Sequence, residues 1–263
     1  MDRAVARPRR THVVTTVESP AKLTLSLRVT GVRHDGYHLI DAEMVALDIA
    51  DLVTIEESDR ITIAVSGPYC DGIATDHTNL VHKALTTLDR TASVHIEKNI
   101  PHGGGLGGGS SNAAAVFRWA GSRDDMESAA RIGADVPFSI LGGRARVTGI
   151  GERLEALDHR PMDLTLFVPP VHTPTPLVYR TWDEMGGPVG DNGNDLEPAA
   201  LRAIPELATW RSRIIEAVGV EPRLAGSGST WFTLGHVALD GIDGLQVVHT
   251  TTRPDAGRVV TVR

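Results

Sequence analysis

The chain reads as an α+β protein built in two blocks, and three observations predict this. Short alternating segments, the mark of half-buried strands, are interleaved with segments of helical periodicity instead of being gathered at one end. Past about Leu157 the character changes, a new strand begins, and a loose Gly/Asn/Pro stretch, "GGPVGDNGND", follows. The length, 263 residues, suits one large domain or two smaller ones. The predicted division is 1–157 and 158–263.

The first element is "VVTTVESPAKLTLSLRVTG", one long or bulged strand in which Pro20 marks an edge or a break. From Ala21 the alternation is clean, with Leu23, Leu25 and Leu27 on one face and Lys22, Thr24, Ser26 and Arg28 on the other. "HDGYH" supplies an Asp-Gly turn, and "LIDAEMVALDIADLVTIEE" is expected to return as partner strands. "RITIAVSG" is a further strand. "HTNLVHKALTTLDR" is helical, with Leu80, Ala84, Leu85 and Leu88 on one stripe. "ASVHIEKNIP" is a strand that runs into a glycine loop; "SSNAAAVFRWA" and "DDMESAARIG" are helical, and "RARVTGIG" is extended. In the second block "DLTLFVPP" reads as a strand and "PLVYRTWDEM" as a helix. "NDLEPAALRAI" opens a helix with a capping-box-like Asn194…Glu197 spacing, and "PELATWRSRIIEAVG" is a clearer helix. "PRLAGSGSTWFTLG" is a strand–loop–strand unit, and "GLQVVHTTT" closes the sheet.

Composition narrows the function classes. The net charge of −7 offers no general electrostatic footprint for nucleic acid. No apolar run approaches the roughly 18–20 residues of a membrane span. The basic start, "MDRAVARPRR", lacks the apolar core of a signal peptide and reads as a disordered tail. One cysteine, Cys70, excludes an internal disulfide and a Cys-based metal site, and a reducing cytoplasm fits it best.

Six of the seven residues from Gly103 to Gly109 are glycine, and an Ala-rich helix follows at once. A loop without side chains lets backbone N–H groups crowd around an anion, and a helix start adds free N–H groups and the positive dipole end. Ser110 or Ser111 is placed to cap that helix. The loop therefore has the form of a phosphate cradle, against the plainer alternatives of a flexible linker or a close-packing loop. It is not a Walker A loop, which ends in Gly-Lys-Ser/Thr. A dinucleotide fold also fails on context. Gly103, Gly105 and Gly108 satisfy G-x-G-x-x-G, but Asp124 and Asp125 lie in a polar helix-like stretch and not at a strand end.

A phosphate cradle calls for a group that orients or deprotonates an acceptor. Asp135, in "IGADVPF", stands where the chain is expected to leave helical geometry before Pro137, and a turn aspartate is the competing reading. Lys22 projects from the polar face of the first strand, where a solvated lysine is the competing reading.

Taken together, "SPAKLTLSLRVTGVRHDGYHLI", "KNIPHGGGLGGGSSNAAA", "IGADVPFSILGGRARVTGIGE" and "LAGSGSTWF" resemble the GHMP small-molecule kinases in order and rough spacing. The Lys22 context, the "DGYH" turn and "GADVPF" are most similar to the branch acting on a cytidine diphosphate-linked methylerythritol. The resemblance implies a first domain like ribosomal protein S5 domain 2 and a ferredoxin-like second domain. It implies Mg²⁺-ATP on Pro101, His102, Gly103, Gly104, Gly105, Leu106, Gly107, Gly108, Gly109, Ser110 and Ser111. Asn79, Leu80 and Lys98 fall around the adenosine, against the competing readings of helix cap, core residue and strand-end charge. The γ-phosphoryl group would pass to the tertiary C2 hydroxyl of the acceptor in non-mevalonate isoprenoid biosynthesis. Asp135 takes the position of the catalytic aspartate and Lys22 that of its paired lysine. Tyr37 and His38 match the cytidine-recognition turn. Thr175 and Tyr179 fall where a second aromatic closes over cytosine, although a core tyrosine remains the competing reading. "AGSGST" resembles a second glycine loop beside the substrate, with an ordinary hairpin turn as the competing reading. No side chain is assigned as a metal ligand, and no nucleic-acid or membrane partner is expected. Two departures stand out: Thr24 replaces a usual asparagine, and the interval from Asn112 to Asp135 is short. A kinase of another small alcohol and a non-catalytic nucleotide-binding homologue are the alternatives.

Overall fold

The computed structural model describes residues 13–239 and 241–262, so the basic start read as a tail lies outside the described residues. Strands β1 (Val14–Val32) and β2 (His38–Glu57) form a long antiparallel pair around the turn at residues 33–37. Gly36 adopts φ +86° there, and Arg33 and Tyr37 close the turn through a 2.7 Å backbone hydrogen bond. Register shifts at Pro20/Lys22, Thr24/Ser26 and Val29/Gly31 bend the pair. Pro20 is tolerated because the other neighbour of β1 pairs only with Val14–Val17, leaving an edge beyond.

Strand β3 (Thr62–Ser66) runs parallel to β4 (Ala92–Glu97) through helix α1 (Leu80–Thr87), and β4 pairs antiparallel with β2. Helix α2 (Gly108–Trp119) lies on this sheet. Ala113 to Phe117 of α2 are fully buried, since small side chains let the helix axis approach the strands closely. Helices α3 (Met126–Ile132) and α4 (Val136–Leu141) follow, then the hairpin β5 (Arg144–Gly149) and β6 (Arg153–Leu157) beside β2.

The second block contains β7 (Asp163–Val168), α5 (Thr175–Glu184), α6 (Glu197–Ala203), α7 (Glu206–Val218), β8 (Arg223–Leu224), β9 (Trp231–Leu234) and β10 (Gln246–Arg253). The expectation that "GLQVVHTTT" closes the sheet is corrected: β10 is interior, bonded to β7 along its length and to β2 at Thr252 and Arg253. A last strand, β11 (Val259–Val262), returns to β1. Arg118 of α2 fastens this return by donating to the carbonyls of Glu18, Ala256 and Gly257.

Three further expectations are corrected. Pro137 sits in the first turn of α4, where its missing N–H costs nothing, so it opens a helix instead of ending one. Asn194 forms no capping box. Its Oδ1 accepts from Leu196 N at 3.0 Å, and its Nδ2 donates to the carbonyls of Leu224 and Gly226. The polar face of β1 is covered: Lys22 is 7% and Thr24 2% exposed, because the glycine loop and the turn before α4 close over them. No helix among the described residues is long and apolar enough to cross a membrane.

Candidate active site

The glycine loop is pinned on both sides. Lys22 N donates to Leu106 O at 2.9 Å, and Thr230 N donates to Gly104 O at 3.2 Å. A Cβ on Gly105 would stand 2.6 Å from Gly228 O, and one on Gly107 the same distance from Lys22 Cγ. Gly107 also holds φ +70° as the residue before α2. Glycine is therefore demanded here by close approach as well as by backbone conformation.

Helix α2 begins at Gly108 with no side-chain cap, which overturns the capping role expected of Ser110 or Ser111. The glycines themselves enter the first turn, so both serines lie inside the helix. Ser110 faces the cleft, while Ser111 is buried with its N–H bonded to Gly107 O. The first N–H groups of a 12-residue helix are left for an external acceptor.

That helix start opens on a cleft of about 1380 Å³. Lys22, Thr24, Gly105, Gly107, Ser110 and Asp135 line one part of it; Tyr37, His38, Thr175 and Tyr179 line another. Asp135 ends the turn between α3 and α4 and points its carboxylate at the ammonium of Lys22, Nζ to Oδ2 3.2 Å. Lys22 Nζ also donates to Thr24 Oγ1 at 3.3 Å. The lysine side chain is 9% exposed and the aspartate 29%, so the pair is sheltered while its carboxylate meets the cleft. An ionised carboxylate beside a lysine and next to uncapped helix N–H groups can accept a proton from an alcohol and offset charge on a moving phosphoryl group.

At the other end Tyr37 is 57% exposed, with the Arg33 guanidinium 5.3 Å above its ring. His38 packs against Tyr179, ring centroids 4.6 Å apart. Burial, and then the charge of Asp135, push the Tyr179 phenol up to about 12, which keeps it protonated. Thr175 Oγ1 reaches Ser227 Oγ of the second glycine loop at 2.8 Å.

The remaining residues singled out in the sequence lie off the cleft wall. Asn79 caps α1, its Oδ1 accepting from Val81 N at 2.8 Å, and Leu80 packs beside Gly109. The Lys98 ammonium is engaged by Asp51 and by Asn112 Oδ1 in a buried network. His102 bonds Asp71 O at 2.8 Å; Pro101, Gly104 and Leu106 are buried, and Gly103 is exposed. Arg180 and Asp183 are among the cleft residues that sequence reasoning missed, and Trp182, behind them on α5, touches His38 edge-on. The signal for Asp183 was present, since it follows Tyr179 by one helical turn on α5.

Residues 79–143, which hold α1, the glycine loop and Asp135, match the family model described as GHMP kinases N terminal domain. A 4-diphosphocytidyl-2-C-methyl-D-erythritol kinase of Ruegeria pomeroyi is 35% identical over 250 residues, covering 84% of this chain and 90% of the relative. The chain belongs to this family of GHMP kinases. A second member, from Dinoroseobacter shibae, is 34% identical over 244 residues, covering 82% of this chain and 84% of its own. A crystal structure of 4-(cytidine 5'-diphospho)-2C-methyl-D-erythritol kinase superposes with a TM-score of 0.70 at 30% identity, over 90% of this chain and 98% of that one. Homoserine kinase from Cytophaga hutchinsonii, 16% identical with a TM-score of 0.64, shares the fold. The fold is thus the α+β GHMP kinase fold, and the protein is an ATP-dependent small-molecule kinase.

Proposed function

We infer that this chain transfers the γ-phosphoryl group of ATP to the C2 hydroxyl of 4-diphosphocytidyl-2-C-methyl-D-erythritol. The observation that carries the reading is the Lys22–Asp135 pair, 3.2 Å apart, in one cleft with the open start of α2 and the His38–Tyr179 stack. The acceptor oxygen forms the new bond to the γ-phosphorus as the bond to the β–γ bridging oxygen breaks, and ADP leaves. Asp135 takes the hydroxyl proton. Lys22, 3.2 Å from that carboxylate, orients it and offsets charge on the equatorial oxygens. The backbone N–H groups of Gly108, Gly109 and Ser110 receive the phosphates. Tyr37, His38 and Tyr179 hold the cytosine.

Among the described residues no group of three or more His, Cys, Asp or Glu side chains is placed to hold a metal ion. Mg²⁺ keeps several waters and takes one or two protein oxygens besides substrate phosphates, so a site for it does not require such a group. Ser110, which faces the cleft at the start of α2, is the residue here that would help hold the ion, whose chemistry would be to neutralise phosphate charge. The unit 1–157 carries the nucleotide cradle and the pair; 158–263 contributes α5 and the second glycine loop, with β11 returning to the first. A cytoplasmic location accords with the lone Cys70.

The acceptor assignment is tested by ADP release with Mg-ATP and methylerythritol acceptors with and without the cytidine diphosphate group, beside mevalonate, homoserine and galactose. Turnover confined to the cytidylated acceptor is expected. Equal turnover of both methylerythritol compounds, or brisk turnover of another alcohol alone, refutes it.

The phosphate cradle has its own test, Gly109→Asp. A Cβ at Gly109 meets only Leu80 Cδ1, at an ordinary 3.7 Å. Replacing a helical glycine and placing an acid at a helix start each stabilise by about 0.3–1 kcal/mol, so Tm should hold or rise. The fixed negative charge competes for the same N–H groups, and ATP affinity should fall about tenfold or more. Unchanged ATP binding by the folded variant would remove the cradle from α2.

A further inference from the structure

The geometry points to Asp183 as the positioning residue that fixes which base His38 can read. This rests on the cytosine-binding reading of the cleft. His38 Nε2 lies 2.8 Å from Asp183 Oδ1. A carboxylate oxygen at this place accepts from Nε2–H, so for the neutral imidazole the contact selects the tautomer whose Nδ1 is bare and can accept. Nδ1 has no hydrogen-bond partner among the described residues. The ring cannot turn freely: Tyr179 stacks on it at 4.6 Å, tilted 33°, Trp182 meets it edge-on at 5.5 Å, and the side chain is 10% exposed. All three partners lie on α5, so one helix supplies both the packing and the carboxylate.

The consequence is a choice between two pyrimidines. Cytosine presents a donor amine at its 4-position, whereas uracil presents an acceptor carbonyl there. Nδ1 held as an acceptor pairs with the amine and opposes the carbonyl. With the proton moved to Nδ1 the preference would invert. Asp183 forbids that tautomer, and so turns an ambidextrous ring into a reader of cytosine.

The test uses the full-length enzyme with two acceptors that differ only in the base, cytidine- and uridine-diphosphate-linked methylerythritol. KM and kcat are measured for the unaltered protein, Asp183→Ala and Asp183→Asn. For Asp183→Ala the cytidine-over-uridine preference in kcat/KM should shrink about tenfold, through KM and with the KM for ATP unmoved. The asparagine amide can accept from Nε2–H or donate to bare Nε2. Asp183→Asn should therefore keep a near-native KM for the cytidine acceptor while gaining turnover of the uridine one. If Asp183 only packs His38 in place, Asp183→Ala raises both KM values equally and Asp183→Asn keeps the native preference, which overturns the assignment. An unaltered protein that does not distinguish the two bases overturns the cytosine reading itself.

Discussion

Asp135→Asn is expected to lower kcat about 10²–10⁴-fold, the usual contribution of a positioned base, with little change in ATP affinity. The amide has the same shape but is neutral and takes up no proton at working pH. The carboxylate is not a helix cap: Asp135 makes no side-chain cap to α4 and is 29% exposed to the cleft. The variant is therefore expected to fold, with some loss of stability as the sheltered Lys22 ammonium loses its ion pair. Its loss leaves Lys22 bonded to Thr24 Oγ1 at 3.3 Å and still next to the glycine loop, so the ammonium stays near where it was. ATP meets backbone N–H groups of α2, which the substitution does not touch. The check is ADP release at saturating acceptor, with ATP affinity measured separately by calorimetry. Turnover within a few fold of the unaltered enzyme would send the search for a base elsewhere in the cleft. A drop in kcat with an equal loss of ATP binding would point instead to a role for the carboxylate in holding the nucleotide.

How much of this was legible in the sequence depended on the range of the forces involved. The β1–β2 pair, α1 and the glycine loop follow from local periodicity and turn chemistry, and they stand where the pattern put them. The burial of Lys22 did not follow, because alternation tells which residues share a face but not what later segment will cover it. The covering segments, the glycine loop and the turn at Asp135, lie far along the chain. The start of α2 was misplaced for a local reason. Capping statistics favour serine, yet the backbone of Gly107 at φ +70° turns into the helix sooner, and nothing local says that a helix end is to stay uncapped for a ligand. Asn194 had a cap's spacing, but its amide bonds Leu224 and Gly226 across the fold, a tertiary demand that overrides the motif. Likewise β10 looks like a terminal strand in sequence, and only its pairing with both β2 and β7 shows it to be interior. Lys22 and Asp135 were linked by resemblance and not by spacing; the ion pair is what joins them physically.

Lys98 separates structural from nucleotide-binding work, and Asp51→Asn is expected to destabilise the protein by about 3–5 kcal/mol. Asp51 is fully buried and Lys98 2% exposed. The carboxylate of Asp51 accepts from the Lys98 ammonium, from Asn99 N at 2.7 Å, from Ile100 N at 2.9 Å and from Asn112 Nδ2 at 2.9 Å. The network ties the end of β4 to α2 directly beneath the glycine loop, where a Cβ on Gly108 would stand 3.2 Å from Lys98 Nζ. Neutralising Asp51 leaves the ammonium with Asn112 Oδ1 alone. Such a charge, unpaired and away from water, costs far more than the pair contributes when intact. Lys98→Met should also destabilise, but less, because three hydrogen bonds still hold the Asp51 charge. Combining the two should recover part of the loss, since each single change leaves the partner that the other removes. Urea unfolding of the three variants checks the order: Asp51→Asn least stable, the double variant above it. Should Lys98→Met instead leave the unfolding midpoint unchanged and weaken ATP binding, the ammonium would be working on the nucleotide, and the buried network would be incidental to the fold.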